Sequence, residues 1–207
     1  MHEFKLKEVH TMSQIYLRQA QLADRDAIMK IINEAKAAMK QAGSPQWQDG
    51  HPNATMITTD ISREIGWVLM IDRQVAGYVA MQLTPEPTYQ HISNGQWAQP
   101  DQPYATFHRV AISDRFRGQH LGQFLISNLL TLGLAKGLVN FRLDTHPVNG
   151  AMQGLAKSCG FVQRGEIEVE DQLDPHRIAF ELNLDQPRPQ LGHVSNDFMK
   201  PLLHHDK

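Results

Sequence analysis

The sequence is short of the features that announce most functional classes. Of its 207 residues one is a cysteine, Cys159, so no disulfide can close within the chain, and a reducing, cytoplasmic setting is the expectation. No stretch approaches the roughly eighteen consecutive apolar residues of a membrane span. The opening "MHEFKLKEVHTMS" is charged where a secretion signal would be apolar. Neither sign of charge dominates: the formal net charge is -2 and the basic residues are scattered, which argues against a nucleic-acid partner. Eleven histidines are present, yet none falls into HExxH or a paired Cys/His spacing, so no metal is expected. No internal repeat is visible.

What is there suits one core. With 41% hydrophobic residues, a single domain over 13–185 is the first reading, with an extension at 1–12 and a proline-bearing tail at 186–207. Gln14 to Ala20 alternates like a half-buried strand. Ile28, Ile31, Ile32, Ala35 and Met39 then make the stripe of an amphipathic helix that Gly43 stops. A short helix is expected within 54–65. "GWVLMID" and "VAGYVAMQLT" read as a hairpin turning at Arg73 and Gln74. The irregular stretch Pro85 to Pro103 is long enough to suggest a functional loop.

"YATFHRVAIS" is the next strand, followed by a helix whose buried face is read as Leu121, Phe124, Leu125, Leu129 and Leu132. "LVNFRLDTH" is strand-like. Asn149 then caps a helix that buries Met152, Leu155, Ala156 and Cys159 and ends at Gly160. That stripe makes Cys159 a core residue rather than an acyl-carrying nucleophile. Two further strands close the domain. The order β-α-α-β-β-β-α-β-α-β-β predicts a mixed α/β sheet covered by helices.

One junction carries most of the chemistry: "RFRGQHLG", Arg115 to Gly122, between a strand and a helix. A strand that feeds a helix through a glycine-bearing loop exposes free N–H groups at the positive end of the helix dipole, a ready anion site. Gly118 and Gly122 would allow close backbone approach, and Arg117 adds a forked cation. A loop this short can equally be a solvated turn, and the residues alone leave both readings open. The Walker pattern is missing, since no Gly-Lys-Ser/Thr follows, and the glycine spacing is not that of a dinucleotide fold.

"VAISDRFRGQHLGQFL" resembles the acyl-coenzyme A signature of the GCN5-related N-acetyltransferase (GNAT) superfamily, Gln/Arg-x-x-Gly-x-Gly/Ala. His120 stands where its middle glycine is expected. "RLDTHPVNGAMQGLAKSCGF" resembles the second block of that superfamily, and "QWQDGHPN" is similar to bacterial members whose acceptor is not assigned. The resemblance implies a centrally splayed β-sheet flanked by helices and an acyl-CoA N-acyltransferase, with acetyl-CoA as co-substrate. The implied cofactor contacts are Val110, Ala111 and Ile112 on the strand, then Arg117, Gly118, Gln119, His120, Leu121, Gly122 and Gln123 around the diphosphate, and Asn149 at the pantetheine arm.

Many relatives carry a glutamate base four residues before the Val110 position and a tyrosine acid seven after the asparagine. Here those places hold Thr106 and Ala156. His108, on the face of Thr106 by the strand's period of two, is the candidate base. Trp47, His51, Tyr89, Trp97 and Tyr104 are candidates for the acceptor pocket, and each could equally be a core or lid aromatic. The expected acceptor is a small-molecule amine or amino-acid-like compound, because no long acidic groove for a basic peptide is visible. The losses at 106 and 156 keep a catalytically silent acyl-CoA binding module open as a second reading, and a nucleotide at the same helix end as a third. Pro85 to Pro103 and the tail could also build a lid or a homodimer contact.

Overall fold

The computed structural model describes residues 13–184. The expected N-terminal extension and all of the tail lie outside the described residues. Seven strands and four helices follow one another as β1 (Ile15–Gln19), α1 (Arg25–Gln41), α2 (Ala54–Ser62), β2 (Gly66–Ile71), β3 (Gln74–Gln82), β4 (Tyr104–Ile112), α3 (Leu121–Ala135), β5 (Asn140–Thr145), α4 (Gly150–Ser158), β6 (Val162–Glu168) and β7 (His176–Asn183). The order is that read from the sequence. The hairpin turn falls one residue earlier than expected, at Asp72 and Arg73, with Asp72 in a left-handed conformation (φ 51°).

The strands form one sheet in the order β1-β2-β3-β4-β5-β7-β6, with β4 and β5 parallel and the other neighbours antiparallel. Helices α3 and α4 cover one face through a core that spans the sheet, joining Leu69, Val79 and Phe107 to Leu125, Leu129, Phe141 and Phe180. On the other face the apolar residues divide. Ile28, Ile32 and Ile57 of α1 and α2 pack on Val68 and Tyr78, while Tyr89 and Trp97 pack on Ile167 and Ala179.

Helix α3 turns differently from the expected stripe. Phe124 is 40% exposed, and Ile126, Leu130 and Gly133 are buried instead. Gly133 makes that rotation possible, because a Cβ there would sit 2.3 Å from the Phe141 ring. Helix α4 is capped as read: Asn149 Oδ1 accepts the Met152 N–H at 3.1 Å, and Gly160 (φ 85°) follows its end.

The parallel pair is the feature that opens the sheet. β4 and β5 are paired only at Tyr104–Asn140, Ala105–Phe141 and Thr106–Arg142. Beyond Thr106, β4 runs on to Ile112 and β5 to Thr145 without each other, and the sheet forks there.

Candidate active site

The fork is shaped by an extra residue in β4. Tyr78 pairs with Ala111 but Ala80 with His108, so two steps on β3 meet three on β4. The surplus residue is Arg109, in the left-handed region at φ 57°. Its guanidinium lies bidentate on Asp60 of α2, with both contacts at 2.7 Å, and Asp60 also accepts the Tyr78 hydroxyl at 2.8 Å. Burial and the Asp60 charge push the Tyr78 phenol well up, which keeps it a donor.

The bulge reverses the alternation of the strand. Ala105 and Phe107 face the α3–α4 core before it, and Val110 and Ile112 do so after it. His108 therefore stays with Thr106 on the opposite face, and a simple period of two does not carry from His108 to Val110.

A cleft of about 640 Å³ runs through the fork. Val110, Ala111, Ile112, Arg117 and Asn149 line it, together with Met152 and Leu155 of α4. The remaining loop residues, Gly118 to Gln123, lie beyond this wall at the start of α3. Gly118 (φ 77°) and His120 (φ 56°) are left-handed, and no side chain caps the helix. The first bond within α3 is from the Phe124 N–H to the His120 carbonyl, at 3.2 Å, so the amides of Leu121, Gly122 and Gln123 precede the helical ladder.

Two expectations about this loop change. Gly122 serves helix packing, since a Cβ there would meet the Leu155 side chain at 3.1 Å, whereas Gly118 has open space and serves the turn. The Arg117 guanidinium is engaged by Asp114, and the Asn149 amide donates to Gln46 Oε1 at 3.0 Å.

At the other end of the cleft His108 meets Glu86, a residue the sequence reading passed over. Nε2 of His108 lies 3.1 Å from Glu86 Oε2. The contact is off the line of a ring N–H, so it is a close polar approach rather than an aligned hydrogen bond. Gln82 Nε2 and Thr88 Oγ1 also reach the Glu86 carboxylate, each at 3.3 Å. The His108 contact, aided by Thr88 and opposed by burial, holds Glu86 below the usual carboxylate range. On the β5 arm Asp144 lines the cleft and accepts the Tyr89 hydroxyl at 2.7 Å. Thr106 is wholly buried and Ala156 is 1% exposed in the core, so neither offers a group to the cleft. Burial pushes the Cys159 thiol up, away from nucleophilic use.

The five acceptor candidates divide. Trp47, half-buried, and His51, exposed with Nδ1 3.2 Å from Asp49, line the cleft. Tyr89, Trp97 and Tyr104 do not. They stack on one another with ring centroids 5.4 and 6.3 Å apart, and Trp97 and Tyr104 enclose the Arg142 guanidinium at 4.2 and 4.0 Å. The cause is the 85–103 segment, which is fastened to β6 through a Ser93–Glu166 bridge rather than standing free as a lid. Glu86, Asp144, Arg109 and Arg177 also line the cleft. A polar residue ending a strand was a usable signal for Asp144; Glu86, in an irregular segment, had none.

A splayed mixed sheet with a bulged strand and a helix start at its fork defines an acyl-CoA N-acyltransferase fold. Residues 28–161 match the acetyltransferase (GNAT) family model, which covers more than half of the chain. A GNAT-family acetyltransferase from Streptococcus agalactiae is 34% identical, over 83% of this chain and 96% of that one, with a TM-score of 0.75. The chain belongs to the GNAT acetyltransferase family. Two more distant structures share the fold. A Salmonella typhimurium protein solved with its cofactor acetyl-CoA is 19% identical over 84% of this chain and 95% of that one, with a TM-score of 0.59. The PaiA N-acetyltransferase of Thermoplasma acidophilum in complex with coenzyme A is 14% identical over 82% and 99%, with a TM-score of 0.61. No curated protein matches the chain.

Proposed function

We propose that the protein transfers the acetyl group of acetyl-CoA directly to a primary amine of a small molecule. One observation carries this: the cleft joins an unpaired β4 edge, close to a free helix start, with an imidazole–carboxylate pair at its far end. The amides of Leu121 to Gln123 suit the diphosphate, and β4 from Val110 to Ile112 suits the pantetheine arm laid alongside it as a surrogate neighbour. The solved acetyl-CoA and coenzyme A complexes of distant relatives support the choice of donor.

An alkylammonium with a pKa of about 10.4 is almost entirely protonated at neutral pH, so a base must act before attack. His108 takes that proton. Glu86, beside Nε2, stabilises the imidazolium that forms, leaving Nδ1 for the acceptor. The amine nitrogen then bonds to the carbonyl carbon, the Val110 N–H meets the oxyanion, the C–S bond breaks as the intermediate collapses, and the nitrogen gives up its second proton to solvent. With Ala156 where relatives place an acid, solvent protonates the thiolate.

Thiol release across an amine panel tests the reading. Release must depend on amine, and His108→Gln should lower kcat by about two to three orders of magnitude while acetyl-CoA affinity holds. Acetyl-CoA binding without turnover on any amine would establish the silent binding module instead. Turnover confined to protein N-termini or lysines would remove the small-molecule acceptor, and failure to bind acetyl-CoA would remove both readings.

A further inference from the structure

The parallel register of β4 and β5 sets two side chains opposite each other. After Thr106–Arg142 the next pair on the same face would be His108 and Asp144, but the fork has opened and no such pair forms. Both residues line the cleft. One short 3-10 turn, Pro87–Gln90, serves both arms, with Glu86 just before it on His108 and Tyr89 within it donating to Asp144.

Asp144 is short of partners. Its side chain is 13% exposed, and its nearest cation, Arg177 Nε, is 3.9 Å away, beyond hydrogen-bond range. A carboxylate offers about four acceptor sites, and Tyr89 fills one. With one donor on the carboxylate and its nearest cation at 3.9 Å, Asp144 keeps acceptor capacity that an incoming ammonium can take up.

The cations of the cleft are already engaged. Arg109 is held by Asp60, and Arg117 by Asp114. Arg177 donates to Asp171 at 2.5 Å and to the carbonyls of Asp174 and His176 at 2.6 and 2.8 Å. No lysine is among the described residues that line the wall, and Glu170 and Asp171 add negative charge there. A carboxylate-bearing acceptor would face Asp144 with no free cation to receive it.

Resting on the acyltransferase reading, we infer that Asp144 selects an acceptor amine that carries a second positive charge and no carboxylate. One ammonium loses its proton to His108 and is acylated, and the other is held by Asp144. This narrows the small-molecule class to diamines and their longer relatives and removes amino acids from it.

Putrescine, n-butylamine and γ-aminobutyrate share a chain length and differ only in a cationic, neutral or anionic far end. With saturating acetyl-CoA and the wild-type chain, kcat/KM should fall in that order, with putrescine favoured over γ-aminobutyrate by about tenfold or more. Asp144→Asn should erase the preference chiefly through the KM for putrescine, with a much smaller change in kcat/KM for butylamine, and Asp144→Glu should restore part of it. If Asp144→Asn does not fold, the wild-type ranking decides alone. Equal or better turnover of γ-aminobutyrate, or a preference that survives in a folded Asp144→Asn, overturns the assignment of Asp144. Turnover without charge preference overturns it while sparing the acyltransferase reading; acetyl-CoA binding with no amine turned over overturns both.

Discussion

His120 occupies the position where the family signature has glycine, and its φ of 56° shows why glycine is usual there. An L-residue in that conformation costs about 1–2 kcal/mol, while glycine gives back about 0.4–1 kcal/mol through a freer unfolded chain. His120→Gly should therefore leave stability unchanged or raise it by up to about 1.5 kcal/mol, read as a shift of the urea midpoint. Acetyl-CoA affinity should hold or improve, because the anion contacts belong to backbone N–H groups. A tenfold loss of affinity on calorimetry would mean that the imidazole itself contributes. Glu86 makes a second prediction at this scale. Its carboxyl titrates below the ordinary glutamate value, chiefly because of His108, so the folded state binds that proton less readily than the unfolded one. The stability it contributes is full above the unfolded pKa of about 4.3 and is lost as pH falls through the lower folded value. Urea midpoints from about pH 7 to about pH 3 should fall more steeply for the wild type than for Glu86→Gln. Parallel curves would remove the His108–Glu86 interaction from the folded protein.

Among the elements, the 85–103 segment matters most to the site, because it carries Glu86 to one arm of the fork and Tyr89 to the other. Its fit on β6 depends on two glycines. A Cβ on Gly95 would lie 1.8 Å from the Arg164 carbonyl oxygen, and one on Gly165 would lie 2.6 Å from that of Ser93. Gly95→Ala cannot be absorbed without lifting the segment. It should lower kcat and raise the acceptor KM together while leaving the acetyl-CoA dissociation constant within about twofold, since loops that complete a site shift both parameters. Unchanged kinetics in a folded Gly95→Ala protein would show that the segment does not position the pair. This segment also marks where sequence reasoning stops. Strands and helices were legible because the apolar residues of Gln14 to Ala20, or Ile28, Ile31 and Ile32, repeat with a fixed period. Phe124 was misplaced because α3 is apolar on more than one side, and contacts distant in sequence, such as Gly133 against Phe141, set its rotation. The β4 bulge rests on an Arg109–Asp60 pair between residues 49 positions apart, and no local pattern announces it. The loop proposed for the cofactor stood out in the sequence because it is one contiguous stretch. The end of the cleft proposed for the acceptor is lined by Trp47, Glu86, His108, Asp144 and Arg177, which only the fold brings together.

Across the whole molecule, the sheet consists of two parts joined by three paired residues between β4 and β5, against six between β5 and β7. What keeps the parts in place is the α3–α4 core, which touches both, whereas the opposite face has two separate clusters with the cleft between them. The fork is thus held from beneath and open above. A co-substrate lying along β4 would restore neighbours to an edge that has none beyond Thr106. At a hundredfold excess over its Kd, a ligand that binds only the folded state adds about 2.7 kcal/mol, and each kcal/mol raises the Tm of a domain this size by about 2–4 °C. Acetyl-CoA should therefore raise the Tm by about 5–10 °C. The pattern of protection discriminates further. Hydrogen exchange should slow at Val110 to Ile112 and at Leu121 to Gln123 together, the strand through the pantetheine arm and the helix start through the diphosphate. Slowing at the helix start alone would make the site a simple anion cradle, and the open β4 edge would then have no part in holding the donor.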